Sequence, residues 1–253
     1  DCLITIHKKN GGKIFILLLD EEQSLQMYNL KMTDKELLLF TPESAYYNDL
    51  SNKLHLISEG DPDYKIATFP ALKKPDSVYK AEGKTGVFYN YEIHQKGIEI
   101  PKISFKEITN KDLYQKYIDS LEGQTPIRPT YGIDYHSQSS FKSYRFKMPG
   151  QIPNGLEDVK LKIHYKGNTA ALYADSLIIV DDYFNGKNMM LSLKRYKKLL
   201  GKNLTLEVTP LMDSSAIYFE PSLSLGFSKT EHAVLENIES TPVYETVINL
   251  NNE

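Results

Sequence analysis

Residues 159–165 read Val-Lys-Leu-Lys-Ile-His-Tyr. Val159, Leu161, Ile163 and Tyr165 fall on one side of an extended chain, with Lys160, Lys162 and His164 on the other. Successive side chains of a β-strand point to opposite faces, so this period of two describes a half-buried antiparallel strand. The pattern recurs downstream. Lys142–Met148 alternates and stops at Pro149-Gly150, and Gly167-Asn168 makes a turn before Ala170–Ala174 and Ser176–Val180, which Asp181-Asp182 breaks. Leu204–Val208 alternates again, followed by Ala216–Phe219 and a closing strand over Val243–Leu250. Short strands with turn signals every eight to twelve residues or so predict a sandwich or jelly roll.

The N-terminal half carries similar runs at Leu3–His7, Lys13–Leu19, Glu36–Phe40, Lys53–Ile57 and Tyr64–Phe69. Asn10-Gly11-Gly12 precedes the second of these and suits a hairpin turn, because Asn and Gly tolerate positive φ. Glu59-Gly60-Asp61-Pro62 separates two others, and Val87–Ile93 sets Val87, Tyr89, Tyr91 and Ile93 on one face. One helix is expected, over Thr109–Leu121. Thr109 is a suitable N-cap, Asp112 lies near the positive end, and Leu113, Tyr117 and Leu121 share a face at i, i+4, i+8. Gly123 can end it, and Pro126 and Pro129 forbid its continuation. The resulting expectation is an all-β chain of two β-sandwich, jelly-roll-like units. An N-terminal sandwich spans 1–105, a helical connector 106–130 and a C-terminal sandwich 131–253.

A length of 253 residues allows one large β-domain or two ordinary ones, and 41% apolar with 25% charged residues is ordinary for a folded chain. The net charge of −3 gives no electrostatic reason to expect nucleic acid. The densest basic run, Lys194, Arg195, Lys197, Lys198 and Lys202, reads as a solvated turn between strands. The single cysteine, Cys2, excludes an intrachain disulfide framework. No apolar stretch has the length of a membrane span; Ile14–Leu19 stops at Asp20. The chain opens without Met and without a leader, which predicts a mature or excised piece of a longer exported chain, periplasmic or extracellular.

Between Asp158 and Glu220 the sequence carries Asp158-Val159-x-Leu161-x-Ile163-x-Tyr165-x-Gly167-x-x-Ala170-x-Leu172-Tyr173, then Asp182-x-Phe184-Asn185-Gly186, Leu193-Lys194-Arg195, Pro210-Leu211 and Ile217-Tyr218. Leu235-Glu236-Asn237-Ile238-Glu239 and Pro242-x-Tyr244-Glu245 follow. This half resembles the C-terminal, non-catalytic β-region of bacterial family-35 glycoside hydrolases, the β-galactosidase-like proteins common in gut Bacteroidetes. Leu37–Phe40 and Ser58-Glu59-Gly60-Asp61-Pro62-Asp63 are similar, more loosely, to the preceding β-region of the same proteins. One departure is Asp175-Ser176, where family members often carry an Asn-Gly turn. The family's catalytic machinery is a (β/α)₈ barrel of about 250 residues carrying two glutamates, and one helix cannot supply it. The resemblance therefore implies an accessory part without catalytic residues or cofactor, whose partner is the catalytic domain of the parent chain.

Glycosidases need two carboxyl groups at set spacing across a cleft. Asp181-Asp182, Glu21-Glu22 and Asp61/Asp63 are close in sequence, but strand neighbours face opposite sides and turn acids are usually solvated. The six histidines, His7, His55, His94, His136, His164 and His232, show no close pairing of the kind that binds zinc. Asp181, Asp182 and Asn185 are oxygen donors near a turn without EF-hand spacing. No G-x-S-x-G elbow, G-x-G-x-x-G or P-loop lysine motif occurs.

Sugar binding is the sharper expectation, because sugars offer apolar C–H faces to aromatic rings and hydroxyl edges to polar groups. With 18 Tyr and no Trp, the candidates come from Tyr-rich loop segments: Tyr46 and Tyr47, and Tyr131 and Tyr135 with Asp134 and His136. Tyr183-Phe184-Asn185 is a third cluster, with Phe184 expected in the core. Core or rim packing is the plain alternative for each. Three readings stand: a module packed on a glycosidase barrel, a module binding galactose-containing polysaccharide, and an adhesin-like interaction module.

Overall fold

The computed structural model describes residues 2–32, 36–72, 79–108, 142–175, 177–211 and 233–250. The helix expected over Thr109–Leu121, the strand expected over Ala216–Phe219, and Tyr131, Asp134, Tyr135 and His136 lie outside the described residues. Within them the chain is an all-β sandwich protein of antiparallel sheets. It divides into two units. The first takes the described residues of Asp1–Ile98, Gly155–Glu157 and Pro242–Glu253, the second those of Glu99–Asn154 and Asp158–Thr241.

In the first unit, β1 (Cys2–His7) and β2 (Lys13–Leu18) form a separate two-stranded ribbon. A helical turn, α1 (Glu21–Ser24), follows. The Asp20 carboxylate accepts from the Gln23 backbone N–H at 2.7 Å, while the Gln23 side chain reaches back to the Asp20 N–H, a reciprocal cap that satisfies two otherwise orphaned donors. Next come β3 (Met27–Lys31), β4 (Glu36–Phe40), β5 (Ser44–Asn48), β6 (Lys53–Glu59), β7 (Tyr64–Phe69), β8 (Lys80–Thr85) and β9 (Phe88–Ile93). One sheet has the order β3-β4-β7-β9-β8; β5 pairs with β6 in another. Alternation sorts their residues as the sequence predicts. Leu37 and Leu39, Leu54 and Leu56, Tyr64 and Ile66, and Tyr91 and Ile93 form one buried cluster, where each fully buried aliphatic or aromatic side chain is worth roughly 1.5–3 kcal/mol.

The second unit contains β10 (Phe105–Ile108), β11 (Lys142–Lys147), β12 (Asp158–Lys166), β13 (Thr169–Ala174), β14 (Leu177–Tyr183), β15 (Met189–Ser192), a 3-10 turn over Lys197–Leu199, and β16 (Asn203–Val208). One sheet has the order β10-β11-β16-β13-β14, and β15 pairs with β12. Val159, Leu161, Ile163 and Tyr165 of β12 are buried, as are Leu172 of β13 and Leu204, Leu206 and Val208 of β16. The turn between β12 and β13 requires glycine for space rather than for its backbone angle. A Cβ on Gly167 would stand 2.4 Å from Val208 Cγ1 and 2.6 Å from the Thr209 carbonyl oxygen. The Asp158 carboxylate fixes the return from β15, accepting from the Lys194 N–H at 2.7 Å and the Ser192 hydroxyl at 2.5 Å. Lys194, Arg195, Lys197, Lys198 and Lys202 are exposed around that return, as expected of a solvated turn.

The last strand, β17 (Val234–Asn249), is longer than the closing strand expected over Val243–Leu250 and contributes to both units. Its Val243–Asn249 half pairs with Glu59–Lys53 of β6, and its Tyr244 and Ile248 join the first unit's core. Residues 242–250, placed by the sequence reading in the C-terminal sandwich, thus belong to the first unit. Phe105–Ile108, read as the end of one sandwich and the start of a connector, forms β10 against β11. Asp181-Asp182 does not break its strand. Ala171 pairs with Asp181 and Ala170 with Asp182, because β14 is an edge strand and its acids need not enter the core.

Candidate functional site

Of the six sugar-site candidates, Tyr46 and Tyr47 lie among the described residues, and they occupy strand β5 rather than a loop. The pairing with β6 sets Tyr46 opposite His55 and Tyr47 opposite Leu54, so the two tyrosines point to opposite faces. The Tyr47 hydroxyl donates to Asn52 Oδ1 at 2.7 Å across the β5–β6 turn, where Asn52 adopts φ +51. That is a structural role. Tyr46 faces outward, 46% exposed.

The Tyr46 ring stacks on His55, with centroids 4.5 Å apart and planes inclined by 8°. His55 Nδ1 lies 2.7 Å from Glu245 Oε1, and the Tyr46 hydroxyl donates to the same oxygen at 3.4 Å. An ionised carboxylate only accepts, so Nδ1 is the donor in that contact. The ring's Nε2 is buried with no hydrogen-bond partner. Gln95 holds the local backbone of β17, donating from Nε2 to the Glu245 carbonyl oxygen at 3.2 Å and to the Thr246 hydroxyl. The cluster joins β5, β6 and β17. Its chemistry is a supported aromatic ring beside a hydrogen-bond-accepting carboxylate.

His55 and Glu245 were not singled out with Tyr46 from sequence. Alternation in Lys53-Leu54-His55-Leu56 places His55 on a wet face, and the same logic applies to Glu245 between Tyr244 and Thr246. Nothing local signals that residues 190 positions apart meet.

The acidic candidates fall apart into structural roles. Asp61 Oδ1 accepts the Asp63 N–H at 2.9 Å in a turn, and Asp63 in turn lies 3.2 Å from His94 Nδ1. Glu21 and Glu22 occupy the first turn of α1. Asp182 Oδ2 accepts from the Tyr165 hydroxyl at 3.0 Å; burial, and then the adjacent Asp182 charge, push the Tyr165 phenol far above its usual range, so it remains a donor. Asn185 Oδ1 accepts the Lys187 N–H at 2.9 Å, and Phe184 packs edge-on against Tyr165 at 5.5 Å, while Tyr183 is exposed. Among the described residues no group of three or more His, Cys, Asp or Glu is placed to hold a metal ion. No helix there is long and apolar enough to cross a membrane.

A second surface stands out on the β1–β2 ribbon. Ile4 pairs with Ile16, Ile6 with Ile14 and Cys2 with Leu18, so Ile4, Ile6, Ile14, Ile16 and Leu18 share one face. Each is between 39% and 52% exposed, and together they form a contiguous aliphatic strip. On the opposite face Phe15 meets Phe69 edge-to-face at 5.8 Å. No family model matches this chain, and no curated protein matches it.

Proposed function

We propose that the chain is a non-catalytic accessory module of a β-galactosidase-like glycoside hydrolase, and that it contacts carbohydrate through the outer face of β5, β6 and β17. The assignment to that enzyme class draws on the sequence resemblance between Asp158 and Glu245. The observation that carries the carbohydrate reading is the Tyr46 platform, a half-exposed ring backed by His55 and flanked by the Glu245 carboxylate. A ring held flat by a neighbour loses little freedom on binding and offers its outer π-face to a sugar's C–H groups. The carboxylate beside it can accept from a ring hydroxyl. The site lies on the face of paired strands, which suits a polysaccharide chain better than an enclosed small substrate.

The test is affinity electrophoresis of the purified chain through gels containing galactose-bearing polysaccharides. Retardation is expected, with Tyr46→Ala weakening binding about tenfold, near 1.4 kcal/mol. Tyr46→Phe should retain most of it, since the ring face does the stacking. A folded chain that no polysaccharide retards, or binding indifferent to Tyr46→Ala, sinks the reading.

A further inference from the structure

The ribbon formed by β1 and β2 has a charge pattern that its bare aliphatic face makes meaningful. Its tip carries Lys8, Lys9 and Lys13, all exposed. Its base, where β2 runs into α1, carries Asp20, Glu21 and Glu22, also exposed. None of these six forms an ion pair among the described residues. Between the ends, Ile4, Ile6, Ile14, Ile16 and Leu18 face solvent in three cross-strand rows. Among the described residues the two strands pair only with each other, and a lone two-stranded hairpin is marginal in water unless its apolar side is covered.

We infer that this face binds a second copy of the chain, ribbon against ribbon, with the two ribbons antiparallel about a two-fold axis. That arrangement sets the three lysines of each tip against the three carboxylates of the other copy's base. The middle row, Ile4 and Ile16, falls on the axis, as an isologous interface requires. The parallel arrangement would set like charges together at both ends. The charge order thus selects both the partner and its direction. An anionic membrane would attract the tip and repel the base, and so fits only half of the surface. Five half-exposed aliphatic side chains offer on the order of 400 Å² per copy, the size of the largest patch on a typical monomer. Two such faces with their charged ends bury on the order of 1,000 Å², the lower end for a specific interface. The association is accordingly weak and reversible, and it does not depend on the carbohydrate reading.

Sedimentation equilibrium over a wide concentration range tests it, with near-ultraviolet circular dichroism to confirm folding of each variant. The wild-type chain should dimerise with concentration. Ile16→Lys should weaken the dimer at least a hundredfold, because it puts two like charges on the axis. The triple variant Lys8→Glu, Lys9→Glu, Lys13→Glu and the double variant Glu21→Lys, Glu22→Lys should each self-associate about tenfold more weakly at low salt. Asp20 is left in place because it caps α1. Mixing the triple with the double variant should recover association as a heterodimer, and this pair decides the matter even if Ile16→Lys fails to fold. A chain that stays monomeric throughout overturns the inference. So does a dimer indifferent to the charge exchange, or a monomer whose ribbon instead captures anionic vesicles or a glycosidase barrel.

Discussion

The β1–β2 ribbon and the β12–β13 segment are both two successive strands joined through a glycine-containing turn, but β1 and β2 pair with each other while β12 and β13 enter different sheets, and their apolar residues meet opposite fates. β2 reads Lys-Ile-Phe-Ile-Leu-Leu, an almost unbroken apolar run of the kind usually buried on both faces. Its Ile14, Phe15, Ile16 and Leu18 are nonetheless exposed. β12 is less hydrophobic in total, with Lys160, Lys162 and His164 between its apolar residues, but Val159, Leu161 and Ile163 are fully buried. The difference is company. β12 and β13 each have neighbours on both sides within larger sheets, whereas among the described residues the two ribbon strands pair only with each other. Apolar content creates a demand for burial; the surrounding sheets determine whether it is met.

The contrast can be broken most directly in the core. Leu161→Ala, a truncation at a site with no exposure, should cost about 2–5 kcal/mol in chemical denaturation. A loss below about 1 kcal/mol would mean that β12 is no better packed than the ribbon. The turns give a finer comparison. Gly167→Ala drives a methyl group into Val208 and the Thr209 carbonyl and should cost about 1–3 kcal/mol through forced backbone movement. Gly11→Ala meets no atom within 4 Å and pays only for its φ of +83, on the order of 1–2 kcal/mol. A reversal of that order would show that the ribbon turn is the more constrained. Smallest of all, Ile16→Thr should change the stability of the monomer at high dilution by no more than about 0.5 kcal/mol. A larger loss would reveal that the strip is covered within a single chain.

Much of the fold is legible in the sequence. Glu36–Phe40 and Tyr64–Phe69 form β4 and β7 over the expected residues, and the alternation of Val159–Tyr165 gives the buried face of β12 correctly. β8 was not legible. Lys-Ala-Glu-Gly-Lys-Thr is polar and wholly exposed, and its strand conformation follows from hydrogen bonding to β9 rather than from any local preference. β5 reads as a loop because Tyr46-Tyr47-Asn48 lacks an apolar partner row of its own; β6 supplies it. The candidate site was half legible. Tyr46 is conspicuous as an aromatic residue, but its support comes from His55 and Glu245, which reach it only through the registers of β5 and β17 on β6.

The sequence by itself determined which residues of the alternating strands point inward, as in β4, β7 and β12, because a period of two depends only on the local geometry of an extended chain. It also determined the Asn10-Gly11-Gly12 turn, where tolerance of positive φ is a local property, whereas the need for Gly167 arises from its contact with Val208 and Thr209. The tertiary structure alone decided which strands became neighbours. It divided β17 between two units, carried β14 through its paired aspartates, brought Glu245 to His55, and left Ile14, Ile16 and Leu18 of the apolar strand β2 exposed. These outcomes depend on ladder pairing between distant segments, and a backbone hydrogen bond carries no record in the sequence of the partner it will find.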